Sequence, residues 1–131
     1  MSEQSNISTV QGLYAALNKG DMKQVQADLL HDQVSLHIPG RHPLARKHEG
    51  KQNVIGFFTG VRGKLSDVSV VPETIAATGD QVLAAVRVQG RRNGKQAFDS
   101  RDVHVFTVAA GKITEIRSYS GDQQASDAVL S

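Results

Sequence analysis

The side chains able to move protons in this chain concentrate in two short stretches. The first is Val34-Ser35-Leu36-His37-Ile38, ended by Pro39-Gly40, with His37 just before the stop. An unperturbed imidazole titrates near about 6.5, so a neutral, proton-accepting ring is available at neutral pH. The second runs from Ser100 through Asp102 and His104 to Phe106. On a strand these four share one face, while Arg101, Val103, Val105 and Thr107 share the other. Neither face is purely apolar, so parity alone leaves open which one points inward. If Asp102 and His104 touch, the carboxylate orients the imidazole, as in hydrolase triads. Equally, the two can simply satisfy each other inside the sheet, and His37 can be held by a backbone carbonyl.

Other chemistries lack their residues. There is no cysteine, which removes disulfides, thiolate metal sites and a thiol nucleophile together. His31, His37, His42, His48 and His104 are too dispersed for a local ligand motif such as HExxH, so no metal is expected. With no GxGxxG and no GxxxxGK[ST], no cofactor is expected either. Two tyrosines, four phenylalanines and no tryptophan argue against a stacking platform for nucleic acid. The formal charge is only +2, from 15 basic and 13 acidic residues scattered along the chain. One basic patch, Arg91-Arg92 with Lys95, flanks Asn93-Gly94 and reads as a solvated hairpin tip rather than a phosphate-binding surface. MSEQSNIS lacks the features of a signal peptide, and no apolar run approaches the ~20 residues of a membrane helix. A cytoplasmic protein without membrane contact is the expectation.

The elements that must position these groups follow from periodicity. At 131 residues the chain is expected to form one domain over residues 1–131, large enough to need no staples. Ile7, Val10, Leu13, Tyr14 and Leu17 predict a helix over 5–19, stopped at Gly20, with Asp21 able to cap a second helix. A short strand is predicted at 34–38. Residues 41–50 (RHPLARKHEG) are polar and read as a mobile loop. Val54, Ile55, Phe57, Phe58 and Val61 then make one broad apolar face of a helix over 51–62. From residue 65 the period becomes two, predicting strands at 67–77, 82–91, 96–108 and 113–120 joined by short turns. Short connections imply antiparallel neighbours. Helices first and strands last make the fold class α+β.

That order resembles the nuclear-transport-factor-like cone fold, and within it the ketosteroid isomerases and SnoaL-like polyketide cyclases. Three segments carry the likeness: Tyr14 to Asp21; Val34 to Gly40 with His48-Glu49-Gly50-Lys51 and Val54 to Phe58; and Asp102 to Phe106 running on to Arg117-Ser118-Tyr119. The resemblance implies a strongly curved, mostly antiparallel sheet that encloses one pocket closed by the helices. It also implies that Asp102 and Phe106, hence His104, line that pocket, with Ile116 and Ser118 inward and Glu115, Arg117 and Tyr119 on the convex face. His37 falls where the isomerases carry their general base. A buried Asp102 can stay protonated and donate to an oxyanion, as in those enzymes. The isomerase tyrosine aligns with Leu13, and Tyr14, displaced by one position, is expected as an extra donor. Ser118 stands where limonene epoxide hydrolase carries aspartate, so water activation between two carboxylates is not expected.

The implied function is a cofactor-free acid–base enzyme of isomerase, cyclase or dehydratase type. Its substrate would be a small, largely apolar carbonyl compound of polyketide or steroid-like character. His37, Asp102 and His104 are the expected catalytic residues. Tyr14, Arg41, His42, Phe58, Phe106, Ile116 and Ser118 are expected to bind ligand. The alternative is a non-catalytic small-molecule-binding domain with the same pocket. Residues 41–50 would form a lid, with Arg41 and His42 pairing with the ligand. A homodimer through the convex face is also implied.

Overall fold

The computed structural model describes residues 2–92 and 97–131. The expected turn at Asn93-Gly94, with Lys95, lies outside the described residues. Helix α1 (Glu3–Lys19) starts at Ser2, whose side chain accepts from the Ser5 amide, and stops at Gly20, where φ is +74°. Positive φ is cheap only for glycine, so the stop sits where the sequence put it. The second helix is shorter and less regular than expected: α2 (Met22–Gln24) passes straight into a π-helical turn over Val25–Leu29. That turn hands the chain directly to β1 (Leu30–Ile38).

Strands β2 (Arg46–Glu49), β3 (Ser66–Thr78), β4 (Gln81–Arg91), β5 (Phe98–Ala109) and β6 (Lys112–Tyr119) complete a six-stranded sheet, in the order β2-β1-β6-β5-β4-β3. All neighbours are antiparallel except β1 and β6, which run parallel. Register shifts at Ser66/Ser69 and Pro72/Thr74 break the β3–β4 ladder, a local irregularity that increases twist and curvature. This is the α+β cone architecture. Its inner face is apolar: Val82, Ala84 and Val86 of β4 pack with Phe106 and Val108 of β5 and with Ile113 of β6. α1 and α3 (Lys51–Lys64) close that face with Val10, Leu13 and Val54. No described helix is long and apolar enough to cross a membrane.

Two departures from the sequence reading matter for the site. Residues 41–50 are not a mobile loop. Four of its ten residues, Arg46–Glu49, are β2, which pairs antiparallel with Ser35 to Ile38 of β1. The polar RKHE sequence disguised it, because β2 is an edge strand that buries only His48. The His48 ring packs on Phe57 at 5.2 Å and its Nε2 donates to the Leu44 carbonyl at 2.9 Å. The start of the segment is tied to a helix absent from the sequence reading. This is α4 (Gln123–Leu130), capped by Asp122, whose side chain accepts from the Ala125 amide. The Arg41 amide donates to Asp127 Oδ1 at 3.0 Å, and Gln123 Nε2 donates to the Pro39 carbonyl at 3.3 Å.

α4 reaches the sheet through a glycine hinge. The Gly121 amide donates to Asp102 Oδ1 at 3.1 Å, and a Cβ on Gly121 would stand 2.0 Å from the Arg101 carbonyl oxygen. Backbone cannot yield as a flexible side chain does, so Gly121→Ala must push the hinge off β5. Urea denaturation should show a loss of roughly 2 kcal/mol or more for Gly121→Ala, in the range of severe steric substitutions. An unchanged midpoint would mean that the hinge is not tightly apposed.

Candidate functional site

Between α1, α3, α4 and the inner sheet face lies a cavity of about 170 Å³. Its lining is mostly apolar, with Leu36, Ile38, Phe57, Phe58, Phe106 and Ile116 among the walls. Across the sheet wall runs a short polar strip. The strand ladder sets it: His104 lies opposite Ser118, one layer above Phe106 opposite Ile116. Asp102 sits on the same face of β5, between Ser100 and His104. Tyr14, Asp102, His104, Phe58, Phe106, Ile116, Ser118 and His42 all line the cavity.

The polar contacts differ from those expected. Asp102 and His104 form no hydrogen bond with each other. Asp102 Oδ1 instead accepts from Ser100 Oγ at 2.8 Å and from the Gly121 amide at 3.1 Å. These two donors fix the carboxyl group and occupy one of its oxygens, leaving Oδ2 for other partners. His104 Nδ1 pairs with the Tyr14 hydroxyl at 2.8 Å, and the rings stack with centroids 5.9 Å apart. Phe106 stands edge-on to both, at 5.8 Å from Tyr14 and 6.2 Å from His104. Tyr14 thus enters the site fully, despite its displacement from the isomerase position: it is buried to 2% exposure at the cavity wall.

Burial sets the protonation of this pair. It pushes the Tyr14 phenol well above its usual range. It also pushes the His104 imidazole down to about 4, against the opposing pull of Asp102. Both groups are therefore neutral at neutral pH, and together they hold two exchangeable protons. One lies in the hydrogen bond between them. The other must point elsewhere, from Nε2 of His104 or from the Tyr14 oxygen, depending on the tautomer. Either way the pair offers one hydrogen-bond donor beyond itself.

Two expected residues lie elsewhere. His37 does not line the cavity and does not face Asp102. It alternates with Leu36 and Ile38, which do line it, so its ring projects from the opposite sheet face. There its Nε2 sits 3.7 Å from Glu115 Oε2, short of a hydrogen bond, and its pKa is lowered, chiefly by burial and secondarily by Arg117. Arg41 is exposed and outside the lining. His42 is buried instead of mobile; its Nδ1 accepts from the Leu44 amide at 3.2 Å. Buried His42 and His48 and the pairing of β2 with β1 hold the segment 41–50 on the fold.

The sequence reading missed Ser100, which orients Asp102, and the α4 residues Gln123, Ser126, Val129 and Leu130, which close one end of the cavity. A signal for α4 was present. Asp122 is a good N-cap, and Ala125 with Val129 stands at helical spacing.

The model of the SnoaL-like domain matches residues 10–116. The chain belongs to the SnoaL-like family. Among solved structures, Bal32a from a soil-derived mobile gene cassette superposes with a TM-score of 0.93 at 28% identity, over 98% of both chains. An NTF2-like protein from Burkholderia xenovorans LB400 gives 0.87 at 29% identity, over 100% of this chain and 99% of that one. By sequence, an uncharacterized protein of Mycobacterium tuberculosis is 27% identical over 97% of both chains. These likenesses span the whole SnoaL-like core together with the flanking α4.

His104 links the site to stability. Its pKa is depressed in the folded chain, so below about 6.5 the unfolded chain binds the extra proton and stability falls as pH drops towards about 4. That dependence should amount to on the order of 2 kcal/mol between pH 7 and pH 4.5 and be missing from His104→Phe. Tyr14→Phe should cost about 1–2 kcal/mol at pH 7 by stripping His104 of its partner. Urea titrations of the three proteins at both pH values check this; equal pH slopes in wild type and His104→Phe would refute it.

Proposed function

We propose that this SnoaL-like protein moves protons on a small, largely apolar carbonyl compound, using Asp102 as base and the Tyr14–His104 pair as donor. One observation carries the reading. A carboxyl group with one oxygen already held and a neutral pair with one donor to offer line the same wall of a mostly apolar cavity. Oδ2 of Asp102 would accept a proton from carbon beside the carbonyl. The donor would stabilise the charge developing on the carbonyl oxygen, where a dry environment gives it most effect. Isomerisation, cyclisation and dehydration all use this pairing. At about 170 Å³ the cavity suits a compound of one or two rings, since a cavity of ~150 Å³ already holds benzene.

A second reading has its own support. Tyr14 and His104 are already bonded to each other and Asp102 to Ser100, so these groups can also serve only to orient a ligand. Deuterium exchange separates the two. In heavy water the wild type should accelerate exchange at the carbon next to the carbonyl of cyclohex-2-enone or 1-tetralone, followed by NMR. Asp102→Asn should lose about 100-fold or more of that rate while binding the ketone within a few-fold of wild type. Binding without accelerated exchange would favour the orienting role.

The homodimer expected through the convex face belongs to the same proposal. Val71, Leu83, Val103 and Tyr119 stand 40–53% exposed there, large apolar groups that a monomer seldom gathers on one sheet face. Arg87, Arg101 and Arg117 ring them in ion pairs with Asp99, Glu73 and Glu115. An apolar centre with a charged rim is the anatomy of an interface. Light scattering at tens of micromolar should give the dimer mass for wild type and the monomer mass for Val103→Asp with Tyr119→Asp. A wild-type monomer would end this part of the proposal.

A further inference from the structure

A second cleft, of about 500 Å³, opens beside the cavity, and its described lining is Arg62, Gly63, Lys64, Leu65, Ser66, Arg91 and Arg92. The sequence presented Arg91-Arg92 as a hairpin tip. Folding adds to it the C-terminal turn of α3, because β3 begins immediately after that helix and pairs Ser66 with Arg91. Four cations and one hydroxyl line this cleft, with no acidic side chain among the described lining residues.

The cleft adjoins the cavity: Arg62 and Leu65 line both. Arg62 is exposed while lining the cavity, so it stands at the opening. Its guanidinium is held in place, since Nη1 donates to the last-turn carbonyl of Leu17 at 3.0 Å. Gly20 leaves room for it; a Cβ there would come within 2.9 Å of Nη2. Arg92 serves differently, donating to the Val129 carbonyl at the end of α4, and belongs to the scaffold.

Five cations elsewhere in the chain are paired. Arg87, Arg101, Arg117, Lys47 and Lys51 each face a carboxylate within hydrogen-bonding range. Arg62, Lys64 and Arg91 have no carboxylate partner among the described residues. Like charges gathered in one cleft repel each other, and a bound anion removes that cost. A single carboxylate carries one charge, whereas a phosphate ester carries about −1.5 to −2 at neutral pH and presents three acceptor oxygens. Three cations match the second better, and guanidinium groups suit phosphate oxygens.

We propose that the ligand of this protein joins an apolar carbonyl-bearing part, seated in the cavity, to a phosphoryl group held outside by Arg62, Lys64 and Arg91. The inference rests on the cavity being a small-molecule site, as read above. The anion would enter first by attraction and then fix the depth at which the apolar part stands against Asp102 and His104.

Calorimetry with three probes tests it: 1-naphthol, 1-naphthoate and 1-naphthyl phosphate, each with wild type and with the double variant Lys64→Gln/Arg91→Gln. Those two side chains lie outside the cavity, so the double variant should keep the wild-type affinity for 1-naphthol. 1-Naphthyl phosphate should bind wild type at least about tenfold more tightly than 1-naphthol, with 1-naphthoate between them. That advantage should shrink in the double variant and on raising salt from ~20 to ~300 mM. Equal affinities of naphthol and naphthyl phosphate would overturn the anion site and leave the cavity reading intact. An advantage unchanged in the double variant would overturn the assignment to this cleft. Failure of all three probes to bind would sink the cavity reading and this inference together.

Discussion

Polar groups placed inside an apolar cavity must find partners, and in this protein one hydrogen bond satisfies Tyr14 and His104 together. The Tyr14 hydroxyl and His104 Nδ1 meet at 2.8 Å, joining α1 to the middle of β5. Left alone, the buried Tyr14 hydroxyl would cost on the order of 1–3 kcal/mol, and the half-buried His104 ring would lose its partner at the cavity wall. Paired, they are neutral, rigid and flanked by Phe106. The bond therefore does two things at once. It ties the helical layer to the sheet across the cavity, and it leaves the pair with one directed donor. The depth of burial that makes the pair necessary is also what keeps the imidazole neutral.

A similar dependence fixes Asp102. Its Oδ1 is shared by Ser100 on its own strand and by the backbone of the hinge leading into α4. The carboxyl group is thus part of the attachment of the C-terminal helix, and α4 in turn anchors the chain around Pro39 and Arg41 through Gln123 and Asp127. The wall that carries the acid and the helix that closes the cavity are one connected structure. A change at Asp127 should accordingly be felt at Asp102 without touching it.

The two faces of the sheet divide the chemistry between them. Inward, apolar rows surround one polar strip. Outward, ion pairs frame exposed Val103 and Tyr119, and His37 belongs to that side, next to Glu115 and Arg117. Its removal from the cavity transfers the base role in the proposed chemistry to Asp102. The basic cleft at the end of α3 adjoins the cavity, and Arg62, Lys64 and Arg91 in it have no carboxylate partner among the described residues.

Local periodicity by itself determined the order of the long elements, the α+β class, the stop at Gly20 and the shared face of Ser100, Asp102, His104 and Phe106, because each depends only on neighbours a few residues away. It also held the correct side for His37: Val34, Leu36 and Ile38 are apolar at every second position, so the residue between them must point away from the core. That signal was overruled by a likeness of position to other proteins. β2 stayed hidden because an edge strand needs only one buried side chain, and α4 because eight residues with two buried positions make a faint pattern. Only the tertiary structure decided who pairs with whom. Tyr14 lies 90 residues from His104 and Gly121 lies 19 from Asp102. Which of several polar groups on one face receives the single available partner depends on how helices settle on a curved sheet, and no spacing along the chain encodes that.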